Sequence, residues 1–148
     1  MSKLVEAPFF PQGSEAIKQK AHILVIDDDP GFTRAAKRLL EKTGSYFVCE
    51  ENDATKAHQT AQSFKPDLIL LDIAMPQTDG GEVATRIQSD PGLRRIPVVF
   101  LTALVTKAET KSGLRIEGHP FLAKPISFPE LIEGIEENLP ARAHFLHS

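Results

Sequence analysis

The stretch Ile23-Leu-Val-Ile-Asp-Asp-Asp-Pro30 decides how this chain folds. An unbroken apolar run suits a strand covered on both faces, because a strand with one wet face alternates apolar and polar residues. We therefore expect a buried strand from His22 to Ile26. The run stops at three carboxylates, and Pro30 then supplies the fixed φ that suits the first turn of a helix. Asp29 is placed to cap that helix, where a carboxylate meets the positive helix end. The helix is expected over 31–42, with Phe32, Ala35, Ala36, Leu39 and Leu40 on one face.

The same phrase repeats along the chain. Tyr46 to Cys49 reads as a second strand, and Asp53 as the cap of a helix running to Phe64 with Ala54, Ala57 and Ala61. Leu68 to Leu71 is a fully apolar third strand, followed by a helix over 81–88. Pro97 to Leu101 makes a fourth strand, and 107–116 a helix weakened by Ser112 and Gly113. A short fifth strand over 120–123 precedes a final helix over 129–139, with Leu131, Ile132, Ile135 and Leu139 turned inward. Five strand–helix units imply an α/β fold: a doubly wound, five-stranded parallel sheet with right-handed crossovers and helices on both faces. Residues 1–20, interrupted by Pro8, Pro11 and Gly13, are expected to be a flexible N-terminal extension, 21–140 one domain, and 141–148 a C-terminal tail.

At 148 residues the chain suits one domain with a core large enough to need no disulfide. Cys49 is its single cysteine, so neither an internal disulfide nor a zinc-type cysteine pair can form. The formal charge of −3, without a Lys/Arg cluster, argues against nucleic-acid binding. The longest strongly apolar stretch, Val98 to Val105, is too short to cross a bilayer, and no secretory signal is evident, so we expect a cytoplasmic protein.

In a parallel α/β sheet, functional groups collect past the carboxyl ends of the strands. Strand one ends in Asp27-Asp28-Asp29, strand three in Asp72, strand four in Thr102 and strand five in Lys124. Carboxylates brought together repel one another unless a cation joins them. A hard divalent ion with oxygen ligands, Mg2+ or Mn2+, accounts for them, and it leaves positions open for water and phosphate. A hydroxyl and an ammonium beside the acids complete a set suited to phosphoryl transfer, where positioning and charge neutralisation dominate.

Four blocks carry a more specific signal: 23–30 above, Leu70-Leu-Asp-Ile-Ala-Met-Pro-Gln-Thr-Asp-Gly80, Phe100-Leu-Thr-Ala103 and Phe121-Leu-Ala-Lys-Pro125. In this order, at expected strand ends, they resemble the receiver domains of two-component response regulators, over about Ala21 to Leu139. The resemblance implies a flavodoxin-like (βα)5 fold with strand order 2-1-3-4-5. It implies that Asp72 accepts the phosphoryl group as an aspartyl phosphate, that Asp28 and Asp72 hold the metal with Asp27 acting largely through water, and that the Ala74 carbonyl is a further ligand. Lys124 would pair with phosphoryl oxygens, Thr102 would move onto the phosphate, Phe121 would change rotamer in concert, and Lys124–Pro125 would be cis. Partners would be a histidine kinase or phosphotransfer protein and a downstream protein target, with a homodimer as one mode. We expect a stand-alone or excised receiver with no output domain in this chain.

Plainer roles compete at several positions. Thr102 alone is a β-branched strand residue and Lys124 alone a surface lysine, so their case rests on position. Asp29 is read as a cap and left outside the metal set. His22, His58, His144 and His147 form no ligand cluster and are expected at the surface, whereas Cys49 is expected to be a small buried apolar group. Glu130, Glu133, Glu136 and Glu137 make either a solvated acidic face or a docking surface. The irregularity of 106–119 leaves the output route open without touching the acceptor chemistry. A phosphatase resembling the haloacid dehalogenase group would use Asp27 and Asp29 as its acid pair, but it leaves Asp72 unexplained and the chain has no room for a cap. A degenerate receiver acting only as a binding module is the third reading.

Overall fold

The computed structural model describes residues 20–76, 78–103 and 118–140. Strands β1 (Ala21–Ile26), β2 (Tyr46–Glu51), β3 (Leu68–Asp72), β4 (Val98–Thr102) and β5 (Phe121–Ala123) form one sheet in the order β2-β1-β3-β4-β5. All four pairings are parallel, so the expected fold and strand order hold. Helices α1 (Pro30–Lys42), α2 (Ala57–Phe64), α3 (Gly80–Gln88) and α4 (Phe128–Asn138) connect or follow the strands. The helix expected over 107–116, the extension before residue 20 and the tail after 140 lie outside the described residues.

Strand pleating sorts the core into two layers. Ile23, Val25, Leu68, Leu70, Val99 and Leu101 point to one face, where they meet Ala36 and Leu40 of α1 and Leu131 and Ile135 of α4. Leu24, Ile26, Ile69, Leu71, Val98 and Phe100 point to the other, against Ala57 and Ala61 of α2 and Val83 and Ile87 of α3. Every residue of β3 and of β4 is buried, which is why those segments read as unbroken apolar runs. Burial of each apolar side chain among them stabilises the fold by about 2 kcal/mol, and the two layers lock the sheet from both sides.

The helix starts follow local chemistry. Asp29 Oδ1 accepts from the N–H of Gly31 at 3.0 Å, with Pro30 in the first turn of α1. Asp79 caps α3 through the N–H of Gly81 at 2.8 Å. Ser127 and Glu130 form a reciprocal capping box on α4. The helix expected from Asp53 begins as a single 3-10 turn, Ala54–Lys56, before α2 proper. It stops at Lys65, which has φ of 54° and stands before Pro66.

The structure departs from the sequence expectation at several places: Leu39 and Ala35 of α1 are exposed, because its buried face runs through Thr33, Ala36 and Leu40. β2 runs two residues past Cys49, because Glu50 and Glu51 continue the ladder opposite Val25 and Ile26 despite their charge. Cys49 is half-buried on this edge strand. His22 and His58 are half-buried and partnered. The His22 ring stacks on Phe64 at 5.0 Å and meets Phe47 edge-on at 5.3 Å, and His58 Nε2 lies 3.0 Å from Asp90 Oδ2. The outer edge of β2 is guarded: Val48 donates its N–H to Glu41 Oε2 at 2.9 Å and accepts from Lys37 Nζ at 2.8 Å. Side chains of α1 thus take backbone groups that an incoming strand would need.

Among the described residues, no helix is long and apolar enough to cross a membrane.

Candidate functional site

The carboxyl ends of β1, β3, β4 and β5 meet at one rim. Asp27 follows β1 and is 1% exposed. Its Oδ1 accepts from the N–H of Asp29 at 3.0 Å and its Oδ2 from Lys124 Nζ at 2.7 Å. Asp72, the last residue of β3, is buried; its Oδ1 accepts from the N–H of Ala74 at 3.0 Å, and its Oδ2 lies 3.7 Å from Lys124 Nζ. Asp28 is exposed beside them. Each of the three acids offers a carboxylate oxygen within 4.8 Å of the others'.

This geometry sets the electrostatics. Burial lifts the Asp72 carboxyl above the ordinary carboxylate range. The Ala74 N–H opposes that shift, the negative charge of Asp27 adds to it, and Lys124 opposes it in turn, without cancelling it. Three carboxylates against one ammonium leave negative charge to be balanced within this group. A hard divalent cation fits that donor set: oxygen ligands only, one acid open to solvent, and room for water. Asp28 and Asp72 are the acids with an oxygen least committed to protein donors.

Lys124 is aimed by its strand. Its N–H donates to the Thr102 carbonyl at 2.8 Å, which extends the β4–β5 ladder by one step, and the peptide to Pro125 is cis. Thr102 is fully buried at the end of β4, opposite Ala123. Phe121 is buried opposite Phe100, on the same sheet face as Thr102 by strand parity. Ala74 is exposed, in a two-residue antiparallel ladder (Ala74–Met75 with Thr78–Asp79) that closes the loop after β3. The sequence-expected residues Asp27, Asp28, Asp72 and Lys124 are thus brought together. Thr102 and Ala74 border them, and Phe121 lies along β5 in the core.

Two supporting residues escaped the sequence reading. Asn52 Nδ2 donates to the Asp27 carbonyl at 2.7 Å and to Thr33 Oγ1 at 2.9 Å, bracing the turn that carries Asp27 and Asp28. Gly80 lets the β3 loop fold back: a Cβ there would stand 2.6 Å from Ile73 Cα and 2.7 Å from the Asp72 carbonyl oxygen. Asp79-Gly80-Gly81 hints at such a close approach. Nothing local announces the reach of Asn52.

Comparison with known proteins places this arrangement. The family profile described as the response regulator receiver domain matches residues 23–136. The response regulator Rre1 of Synechocystis is 35% identical over 120 residues, covering 81% of this chain and 52% of that protein. The polar-differentiation response regulator DivK of Brucella anthropi is 31% identical over 117 residues, covering 79% of this chain and 94% of that protein. The chain thus spans about half of the first relative and nearly all of the second. The chemotaxis protein CheY4 of Vibrio cholerae shares the fold at a TM-score of 0.71 and 23% identity, over 82% of this chain and 100% of that one. Receiver domains of this family are signalling switches, not conventional enzymes; they bind Mg2+ at an acidic pocket and interact with histidine kinases or phosphotransfer proteins and with downstream targets. By its sequence match and its fold, the chain belongs to the response regulator receiver family of two-component signalling.

Proposed function

We propose that Asp72 is the phosphoacceptor of this receiver. The observation that carries the reading is the Asp72 carboxylate, 3.7 Å from the Lys124 amine and within 4.8 Å of the Asp27 and Asp28 carboxylates. In the transfer, a carboxylate oxygen of Asp72 forms a bond to phosphorus as the phosphorus–nitrogen bond of a donor phosphohistidine breaks, and the imidazole leaves with the bonding pair. Lys124 turns from Asp72 to the incoming phosphoryl oxygens while Asp27 keeps it at the rim. Asp28, Asp72, the Ala74 carbonyl and, through water, Asp27 would hold Mg2+ or Mn2+, which when bound neutralises phosphoryl charge. Asp27 is a poor nucleophile for the hydrolase alternative, since both its oxygens are engaged.

The acyl phosphate then biases two conformations. Thr102 moves its hydroxyl onto the phosphoryl group and Phe121 changes rotamer with it, so that a helical face binds a protein target, or a second copy, more tightly. The bias can be no larger than the difference in phosphate contacts between the two states. Residues 21–140 would act as the receiver, between the flanking segments, in the cytoplasm. The test is incubation with a small phosphodonor and Mg2+ followed by intact-mass analysis. The expected result is one added phosphoryl group, labile to base, lost in Asp72→Ala; the same modification in that variant overturns the assignment.

A further inference from the structure

Phe32 has no part in the acceptor chemistry above, yet its ring faces the amine on which that chemistry depends. Lys124 Nζ lies 4.8 Å from the centroid of the Phe32 ring. The same nitrogen donates to Asp27 Oδ2 at 2.7 Å and stands 3.7 Å from Asp72 Oδ2. The ring distance is within the range where an aromatic face attracts an ammonium.

Phe32 is itself held firmly. Its N–H reaches Asp29 Oδ1 at 3.4 Å in the first turn of α1. Its side chain packs, as do those of Leu122, Ile126 and Phe128, against the apolar cluster on that face of the sheet. The ring is thus packed against that cluster while it faces the Lys124 amine. A carboxylate or carbonyl in that position would hold the ammonium by a hydrogen bond and compete with the phosphoryl oxygens. An aromatic face attracts the charge without accepting a directed hydrogen bond of comparable strength. It also keeps water from that side of the amine, and it restricts a long side chain whose ordering otherwise costs entropy.

We propose that Phe32 is a positioning residue for Lys124, holding its ammonium at the rim while leaving its protons available to the oxygens of Asp27, Asp72 and the incoming phosphoryl group. This inference rests on the acceptor reading. A space-filling role alone would be met equally by leucine, whereas a role through the ring face requires an aromatic residue.

The test compares the wild type, Phe32→Leu and Phe32→Tyr by calorimetric titration with Mg2+ alone and with Mg2+ plus beryllofluoride, the phosphoryl mimic. With beryllofluoride, Phe32→Leu is expected to bind about three- to tenfold more weakly, and Phe32→Tyr within about twofold of the wild type. The affinity for Mg2+ alone is expected to stay within about twofold in all three, because the ring acts on the amine and not on the metal ligands. Equal beryllofluoride affinity in wild type and Phe32→Leu overturns the inference alone, as does a tyrosine variant no better than leucine. A wild type that binds no beryllofluoride overturns the acceptor reading and this inference with it. Should Phe32→Leu fail to fold, the wild type still decides: NMR must show a nuclear Overhauser contact between the Phe32 ring and the Lys124 ε-methylene, and its absence refutes the proposal.

Discussion

Asp72, at the end of β3, and Asp90, in the turn after α3, are the same residue held in opposite surroundings. Asp90 accepts from His58 and Gln62 of α2 through Oδ2, each at 3.0 Å, and from the N–H of Gly92 through Oδ1 at 2.9 Å. Those donors, Gln62 first, then His58, then Gly92, hold its carboxyl down at about 2. Asp72 is buried beside the negative Asp27, and its carboxyl is pushed up. One acid is satisfied by its neighbours and ties the α3–β4 turn to α2. The other is held against its electrostatic preference, and a cation or a phosphoryl group with its metal would relieve that strain. A raised carboxyl beside a specific charge partner at a strand end is the kind of group that functional sites use.

The sharpest way to break the contrast is to remove the amine that makes the strained site tolerable. Lys124→Met keeps an unbranched side chain but leaves Asp27 buried without its ammonium, so unfolding stability in divalent-free buffer should fall by about 3 kcal/mol. Urea denaturation checks this, and added Mg2+ should restore part of the loss. The rate of phosphoryl acceptance should fall by about a hundredfold, as when one preorganised donor is lost from a developing charge.

Asp72→Asn probes the strain from the other side. The folded state binds the Asp72 proton more tightly than the unfolded chain does, so ionising this group opposes folding. The penalty is absent below the ordinary carboxylate range and complete once pH has risen past the raised folded value. The asparagine variant should therefore melt higher than the wild type at neutral pH without divalent ions. Its advantage should vanish as pH falls below the ordinary range. A pH series of thermal melts reads this directly.

Asp90→Asn should give the smallest effect and the opposite sign. The contribution of Asp90 is fully present above the unfolded carboxylate pKa and fades as pH falls toward about 2. Its loss should lower the melting temperature slightly at neutral pH and flatten part of the acid limb, leaving phosphoryl acceptance unchanged. An Asp90 variant that melted higher at neutral pH would remove the distinction between the two sites.

The extent to which this was legible in the sequence follows the range of the interactions. Ile23 to Ile26, Leu68 to Leu71 and Val98 to Leu101 announce a sheet covered on both faces because burial acts on every residue of a central strand. Asp27, Asp28, Asp72 and Lys124 were legible because each interrupts or follows such a run at a strand end, where a parallel sheet gathers its chemistry. Elsewhere the controlling contact lies far along the chain. The Asn52 side chain reaches back to Asp27, and Glu50 is kept in the edge strand by the Thr33 hydroxyl at 2.9 Å and by Arg34. Lys65 adopts a left-handed conformation usually taken by glycine. Phe32, read as a core-facing residue of α1, turns out to sit over Lys124 as well. Of these only the helix stop at Lys65 has a short-range signature, the Pro66 that follows it.

Acids and an amine from separate segments would form one cation-dependent acceptor at this rim. Amide NMR during a Mg2+ titration of the wild type and Asp72→Asn tests it most directly. The expected shifts are concentrated at Asp27, Asp28, Ile73, Ala74 and Lys124, saturate at one ion and are strongly weakened in the variant. Shifts scattered over the acidic face of α4, or unchanged by the substitution, would contradict it.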